Sequence, residues 1–172
     1  MKDQNKIIMF IAVLAVLFIG LFIFAKPGKN ENKETNIIPN ATSSISALKA
    51  LETFYDFGTI SMKNGNVSKI FKVTNPTNLD IFIPNLTTSC MCTNAYFVQS
   101  DGNRKGPFGM IGMGFVPKLN ETIKAGESRE IEVVFNPNAH GPAGVGLIDR
   151  FVYLADNSNN SLQFEIKAKV TP

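Results

Sequence analysis

The sequence predicts an all-β protein: a β-sandwich of about seven strands, preceded by one transmembrane α-helix and a flexible linker. Two observations lead to this prediction. Residues 7–25 contain no charged side chain, and the chain after residue 46 consists of short apolar segments separated by turn-forming sequences. Within those segments apolar and polar residues alternate, and a period of two is typical of half-buried strands. Many short strands at close spacing indicate a sandwich.

The apolar run at residues 7–25 has the length of a membrane-spanning helix. At about 1.5 Å per residue it reaches about 28 Å, close to the hydrocarbon thickness of about 30 Å. Cleaved secretory signals usually have a shorter apolar region followed by small residues, whereas Phe22 and Phe24 stand at its end here. We therefore predict an uncleaved signal anchor, with a cleaved signal as the alternative.

The flanking charges are nearly balanced, with Lys2 and Lys6 before the run and Lys26, Lys29 and Lys33 after it. A long folded domain is commonly exported whatever these charges are. The predicted organisation is a cytoplasmic tail at 1–6, a transmembrane signal anchor at 7–25, a polar linker at 26–46 and a β-sandwich domain at 47–172. The protein is thus expected to cross the cytoplasmic (inner) membrane once, with its C-terminal domain extracytoplasmic.

The strands of this domain are predicted from their alternation. Residues 162–170 alternate without a break, and residues 69–75 and 129–136 follow the same rule. The inward-facing residues predict one shared core, which contains Phe71, Val73, Ile131, Val133, Phe135, Phe164 and Ile166. A single helical turn at residues 45–52 is the one departure from β structure that the pattern suggests.

Several motifs carry a resemblance to a known family. They are "FYDFGTI", "FKVTN", "TSCMCT", "AGES" before a strand, and "HGPAGVG". In this order they resemble the bacterial Ig-like domain-of-unknown-function 1573 family, whose hallmark is Ser-Cys-Gly-Cys-Thr and which is related to the Ig-like domains of Hydin and major sperm protein. The resemblance implies an Ig-like β-sandwich and an envelope location, and it implies no activity.

The sequence departs from that family in two places. Met91 stands where the hallmark has glycine, so the backbone there is expected not to need a positive φ. Residues 98–122 form a longer segment than usual between the cysteines and the "AGES" turn. Loops beyond about 12–15 residues are uncommon unless they are functional or disordered, so we expect a long loop of one of these two kinds here.

Cys90 and Cys92 are the chain's two cysteines, and three interpretations of them stay open. On an extended strand their Cα atoms would lie about 6.6–6.8 Å apart, which would strain a redox bridge. They could equally pack as small apolar side chains. As thiolates they would suit copper(I), which accepts two or three soft ligands and also thioethers. The tentative metal ligands are Cys90, Cys92, Met91, Met110, Met113 and His140.

Other functions lack a signal in the sequence. His140 is the one histidine, and its Pro- and Gly-rich turn explains it without chemistry. The net charge of +3 is spread along the chain, so no nucleic-acid partner is expected. The predicted function is a non-enzymatic binding or scaffolding module of the cell envelope, with an unidentified envelope protein as partner and no cofactor. The alternative is a copper-handling protein, and a thiol oxidoreductase is a weaker third.

Overall fold

The computed structural model describes residues 46–172, and these form an all-β domain. In that range there are eleven strands, two short 3₁₀ helices and no α-helix. The strands are β1 (Lys49–Ala50), β2 (Phe54–Ser61), β3 (Val67–Thr74), β4 (Ile81–Ile83), β5 (Asn85–Thr88), β6 (Thr93–Val98), β7 (Arg104–Phe108), β8 (Glu121–Ile123), β9 (Ser128–Phe135), β10 (Gly146–Ala155) and β11 (Ser161–Thr171). The 3₁₀ helices are Met62–Asn64 and Gly141–Gly144.

The strands form two larger sheets and a small one. The five-stranded sheet has the order β1-β3-β9-β6-β7, the four-stranded sheet has the order β2-β11-β10-β5, and β4 pairs with β8. Phe71 of the first sheet stacks on Phe164 of the second, with ring centroids 4.8 Å apart. The two larger sheets therefore face each other across one core, as in a β-sandwich.

The predicted core is confirmed in every residue. On β11, Phe164 and Ile166 are fully buried, as the alternation requires. The seven predicted residues belong to one buried cluster: Phe71, Val73, Ile131, Val133, Phe135, Phe164 and Ile166. Because burial of apolar area is the main driving force of folding, this alternation was sufficient to predict which faces meet.

The number of strands is higher than predicted. The estimate of about seven missed short strands such as β1 and β8, which are too short to show alternation. The expected helical turn at residues 45–52 is also wrong: β1 pairs with β3 there. Leu48 is buried in the core, and the Leu48 N–H donates a hydrogen bond to the Ser46 hydroxyl. Tertiary burial thus overrides local helix propensity.

The segment at 98–122 is not one long loop. It contains β7, which pairs antiparallel with β6. Gly106 and Pro107 concealed this strand in the sequence, because proline cannot donate a ladder hydrogen bond. β7 is the edge of the five-stranded sheet, where that missing donor is tolerated. The irregular parts of the segment are residues 99–103 and 109–120.

The predicted signal anchor at residues 7–25 and the greater part of the linker lie outside the described residues. Within 46–172, no helix is long and apolar enough to cross a membrane.

Candidate functional site

The two cysteines lie on a β-turn that connects the two larger sheets. β5 of the four-stranded sheet ends at Thr88, and β6 of the five-stranded sheet begins at Thr93. The Thr93 N–H donates to the Cys90 carbonyl at 3.1 Å, which closes the turn. The extended conformation expected for the pair is therefore wrong. The turn places the Cys92 Sγ atom 2.7 Å from the Cys90 Sγ atom, and both cysteines are free.

Local hydrogen bonds hold this turn firmly. The Thr88 hydroxyl lies 3.0 Å from the Cys90 carbonyl and 2.9 Å from the Thr93 carbonyl. Ser89 and Phe151 of β10 exchange two hydrogen bonds, one from each backbone N–H, both at 2.9 Å. The cysteines are thus fixed against both sheets, so their side chains are preorganised.

Met91 occupies the turn without a positive φ. Among the non-glycine residues that the structure describes, only Asn120 and Asn159 have positive φ. A type I turn accepts most residues at its central positions. The expectation that this backbone does not need glycine is confirmed, and Met91 is left 47% exposed on the turn.

His140 reaches the cysteines from the loop after β9. Its Nε2 atom lies 3.2 Å from the Cys90 Sγ atom. The Asn136 N–H donates to the Cys92 carbonyl at 2.8 Å, which ties the start of this loop to the cysteine turn. His140 is an exposed turn residue, as the sequence suggested. It is also a neighbour of Cys90, as the alternative of a metal site requires.

Arg150 is a site residue that the sequence analysis missed. Its Nε–H donates to the Cys92 Sγ atom at 3.2 Å. It lies on β10 between the buried residues Ile148 and Val152, so it occupies the inward-facing register of the strand. That register was the available signal, because a charged side chain among inward apolar ones requires a partner.

The ionisation of the two cysteines is asymmetric. Burial raises the pKa of Cys90, but hydrogen bonds from Cys92 and His140 and the charge of Arg150 outweigh it and lower the pKa from 9.0 to about 7. Burial and the hydrogen bond donated to Cys90 raise the pKa of Cys92 above 9.0. Near neutral pH Cys92 is therefore a thiol, whereas Cys90 is partly ionised to the thiolate.

The structure brings together three of the six predicted ligands. The ligand atoms of Cys90, Cys92 and His140 all lie within 4.8 Å of one another. Met110 lies beside Thr88 in an isolated β-bridge, and Met113 is 57% exposed in the following turn. Metal ligation by any of the six, Met91 included, stays a prediction.

The arrangement suits two chemistries besides packing. Cys92 is 1% exposed and belongs to the apolar core, as the packing interpretation requires. Cys90 is only partly buried and has polar partners, so packing alone does not account for it. Two sulfurs and an imidazole suit a soft metal ion, and a thiolate beside a thiol suits exchange with disulfides.

Comparison with known proteins agrees with this fold. The model of the family "Protein of unknown function (DUF1573)" matches residues 48–119, which include the cysteine turn. The resemblance predicted from the sequence is confirmed. The match extends from the segment just before β1 to the residues just before β8. No curated protein matches the sequence.

Solved structures of low sequence identity resemble this chain, and one of them supports the fold. A protein of unknown function from Porphyromonas gingivalis has 14% identity and a TM-score of 0.52, covering 77% of this chain and 51% of its own. This chain thus spans about half the length of that protein. The PapD-like domain 7 of human CEP192 has 11% identity and a TM-score of 0.42, covering 74% and 87%. A C. elegans MSP family member has 6% identity and a TM-score of 0.40, covering 73% and 99%.

Proposed function

We propose that this protein is a non-enzymatic binding module of the cell envelope. Residues 7–25 anchor it in the cytoplasmic membrane by a single pass, and the Ig-like β-sandwich stands outside the cytoplasm. The apolar length of the anchor and the polar linker at 26–46 support this topology. The β domain then binds a second protein of the envelope.

An exposed apolar loop is the observation that carries the binding role. Ile111 is 71% exposed, Met113 is 57% exposed and Phe115 is 92% exposed. They occupy alternate positions in a short stretch of the segment after β7. Adjacent exposed apolar side chains mark protein interaction sites more often than chance exposure. We assign this loop, residues 109–117, to a protein partner that offers an apolar groove.

The cavities of the described domain support a role without catalysis. A surface cavity of about 460 Å³ lies against β2, β10 and β11. Its lining has no cysteine or histidine, and its Asp149 is paired with Lys167 at 3.4 Å. This lining therefore lacks a thiol and an imidazole, two of the groups that serve in covalent catalysis.

Protease protection and site-specific crosslinking test this proposal. Protease added to spheroplasts should degrade the domain, and a photocrosslinking residue at position 115 should give one discrete product with an envelope protein in intact cells. The matched control is position 147, since Leu147 is equally apolar and 87% exposed on β10. The product should disappear with Ile111→Ser and Met113→Ser together. Protection of the domain in spheroplasts would overturn the topology, and equal products from both positions would overturn the loop assignment.

A second candidate function is soft-metal handling, and the convergence of Cys90, Cys92 and His140 favours it. The reduced full-length protein in mild detergent should bind about one equivalent of copper(I). The double substitution Cys90→Ser and Cys92→Ser should abolish uptake without changing the circular dichroism spectrum. Absence of uptake by the reduced wild type would reject this function and leave the binding module.

A further inference from the structure

The three arginines of the chain have different anionic partners. Arg104 pairs with Glu132 at 2.7 Å, and Arg129 pairs with Glu127 at 2.5 Å. Within residues 46–172 no carboxylate pairs with Arg150. Its Nε–H donates to the Cys92 Sγ atom and its Nη1–H donates to the Asp149 carbonyl at 2.8 Å.

A partly buried guanidinium needs a negative charge nearby, because an uncompensated charge away from water is costly. Among residues 46–172, the groups in contact with it that can supply a full negative charge are the two cysteine sulfurs. Arg150 thus identifies the sulfur pair as an anionic centre. The side chain comes from β10, whereas the cysteines and His140 come from segments adjoining β6 and β9. The fold therefore brings the cation to the centre independently of the turn.

The charge of a bound metal ion decides whether the positive charge of Arg150 is still neutralised by the site. Metal-bound cysteines are thiolates and a metal-bound histidine is neutral. With a monovalent cation, two thiolates leave one net negative charge, which Arg150 neutralises. With zinc(II) the ligand set is already neutral, so Arg150 would be left without a counter-ion. Zinc also prefers a fourth ligand from His, Cys or a carboxylate, and among the described residues no further His, Cys, Asp or Glu joins the group of Cys90, Cys92 and His140.

We propose that Cys90, Cys92 and His140 form a three-coordinate site for copper(I), and that Arg150 selects the monovalent ion by neutralising the centre. This inference rests on the soft-metal function proposed above. Binding includes a small rearrangement. Metal–sulfur bonds of about 2.3 Å at tetrahedral or trigonal angles hold two sulfurs about 3.8–4.0 Å apart. The thiols start 2.7 Å apart, so they separate on binding. Arg150 is a positioning residue here, since it acts on the metal through Cys92.

The test measures two affinities in each of four proteins. Copper(I) and zinc(II) are titrated separately, each against a chromophoric chelator, into the reduced full-length chain in mild detergent. The proteins are the wild type, Arg150→Met, Arg150→Lys and Arg104→Met, the last being the control because Arg104 lies at the exposed edge strand β7. Melting curves with no metal present check that each variant folds.

Arg150→Met should lower copper(I) affinity about 10- to 100-fold, the range found when residues behind metal ligands are replaced. It should leave zinc(II) affinity unchanged or higher. Arg150→Lys, which keeps the charge, should restore much of the copper(I) affinity, and Arg104→Met should resemble the wild type. An equal loss for both metals in Arg150→Met, or equal wild-type affinity for both metals, would overturn the selection by Arg150 while the metal site stands. No binding of either metal by the wild type would reject the metal function itself.

Discussion

Two β-turns of this domain are closed by the same type of backbone hydrogen bond, but their side chains have different roles. In the cysteine turn the Thr93 N–H donates to the Cys90 carbonyl at 3.1 Å, and in the turn before β9 the Glu127 N–H donates to the Lys124 carbonyl at 2.9 Å. Each leads into a long strand of the five-stranded sheet. The turns differ in what their side chains do, and that difference separates structure from chemistry.

The carboxylates that contact the turn at 124–127 accept hydrogen bonds from its backbone or pair with a neighbouring arginine. The Glu127 carboxylate accepts from the Lys124 N–H at 3.0 Å and pairs with Arg129. The Asp80 carboxylate accepts from the Ala125 N–H at 2.9 Å. Gly126 has φ +72°, which a type II turn requires at that position. Every charged partner in this turn satisfies a neighbour, so its residues are explained by stability alone.

The cysteine turn has the opposite character. Its central positions do not need glycine, and its reactive atoms are paired with a histidine and an arginine from other segments. A turn built only for stability would not need Cys90 to have its pKa lowered to about 7. This difference supports the proposal that the cysteine turn has a chemical as well as a structural role.

The largest expected effect comes from truncating a buried side chain of β9, the strand that lies next to both turns. Phe135 at the end of β9 is 2% exposed and is paired in register with Thr93. Phe135→Ala should lower the free energy of unfolding by about 3–5 kcal/mol, because it deletes a buried ring and leaves a cavity. Urea denaturation of the full-length chain measures it. A loss under about 1 kcal/mol would mean that the core is not packed as described.

One alanine substitution in each turn tests whether the turn needs a residue with positive φ. Gly126→Ala should cost about 1–2 kcal/mol, because φ is +72° there and an L-residue is strained at that angle. Met91→Ala should change stability by about 0.5 kcal/mol or less, since Met91 is exposed and has no positive φ. Equal costs for both substitutions would remove the distinction between the turns.

The reactivity of Cys90 provides a pH-dependent prediction. Because thiolates are the nucleophiles and the pKa of Cys90 is about 7, its alkylation by iodoacetamide should be half-maximal near pH 7 and slow below that value. Cys92, whose pKa is raised, should react only at higher pH. Both cysteines lie in one tryptic peptide, residues 73–104, and tandem mass spectrometry separates them by fragment ions that break the chain between the two. Half-maximal alkylation of Cys90 near pH 9 would show that His140 and Arg150 do not act on it.

The smallest effect is expected at an exposed carboxylate. A backbone hydrogen bond from Lys124 lowers the pKa of Glu127 in the folded protein. The ionised carboxylate therefore stabilises the fold at pH values above the pKa of the unfolded state, and this stabilisation is lost as the pH falls through the lowered pKa of the folded state. Glu127→Gln should therefore reduce stability slightly at neutral pH and hardly at all in acid. A larger loss than that of Gly126→Ala would contradict the assignment of this turn to backbone geometry.

Alternation was enough to predict the core but not the site. Phe164 and Ile166 could be placed because a strand of eleven residues repeats its period many times. β7 could not, since Gly106 and Pro107 interrupt it, and proline is acceptable there only because β7 lies at an edge. Strand count and edges depend on pairing, which a local pattern does not contain.

The site was predicted in part for the same reason. Cys90 and Cys92 are separated by one residue, so their spacing alone identified them as a candidate site. Their distance did not follow, because the extended conformation assumed for them gave way to a turn between two sheets. His140 and Arg150 are separated from them by 50 and 58 residues, and only the folded topology brings them together.

X-ray absorption at the copper edge tests the central claim, that the cysteine turn is a chemical site, most directly. Copper(I)-loaded full-length protein should show two sulfur ligands and one nitrogen ligand per copper, and His140→Ala should remove the nitrogen while both sulfurs remain. A spectrum unchanged by the double substitution Cys90→Ser and Cys92→Ser would contradict the account, because the copper would then be held elsewhere.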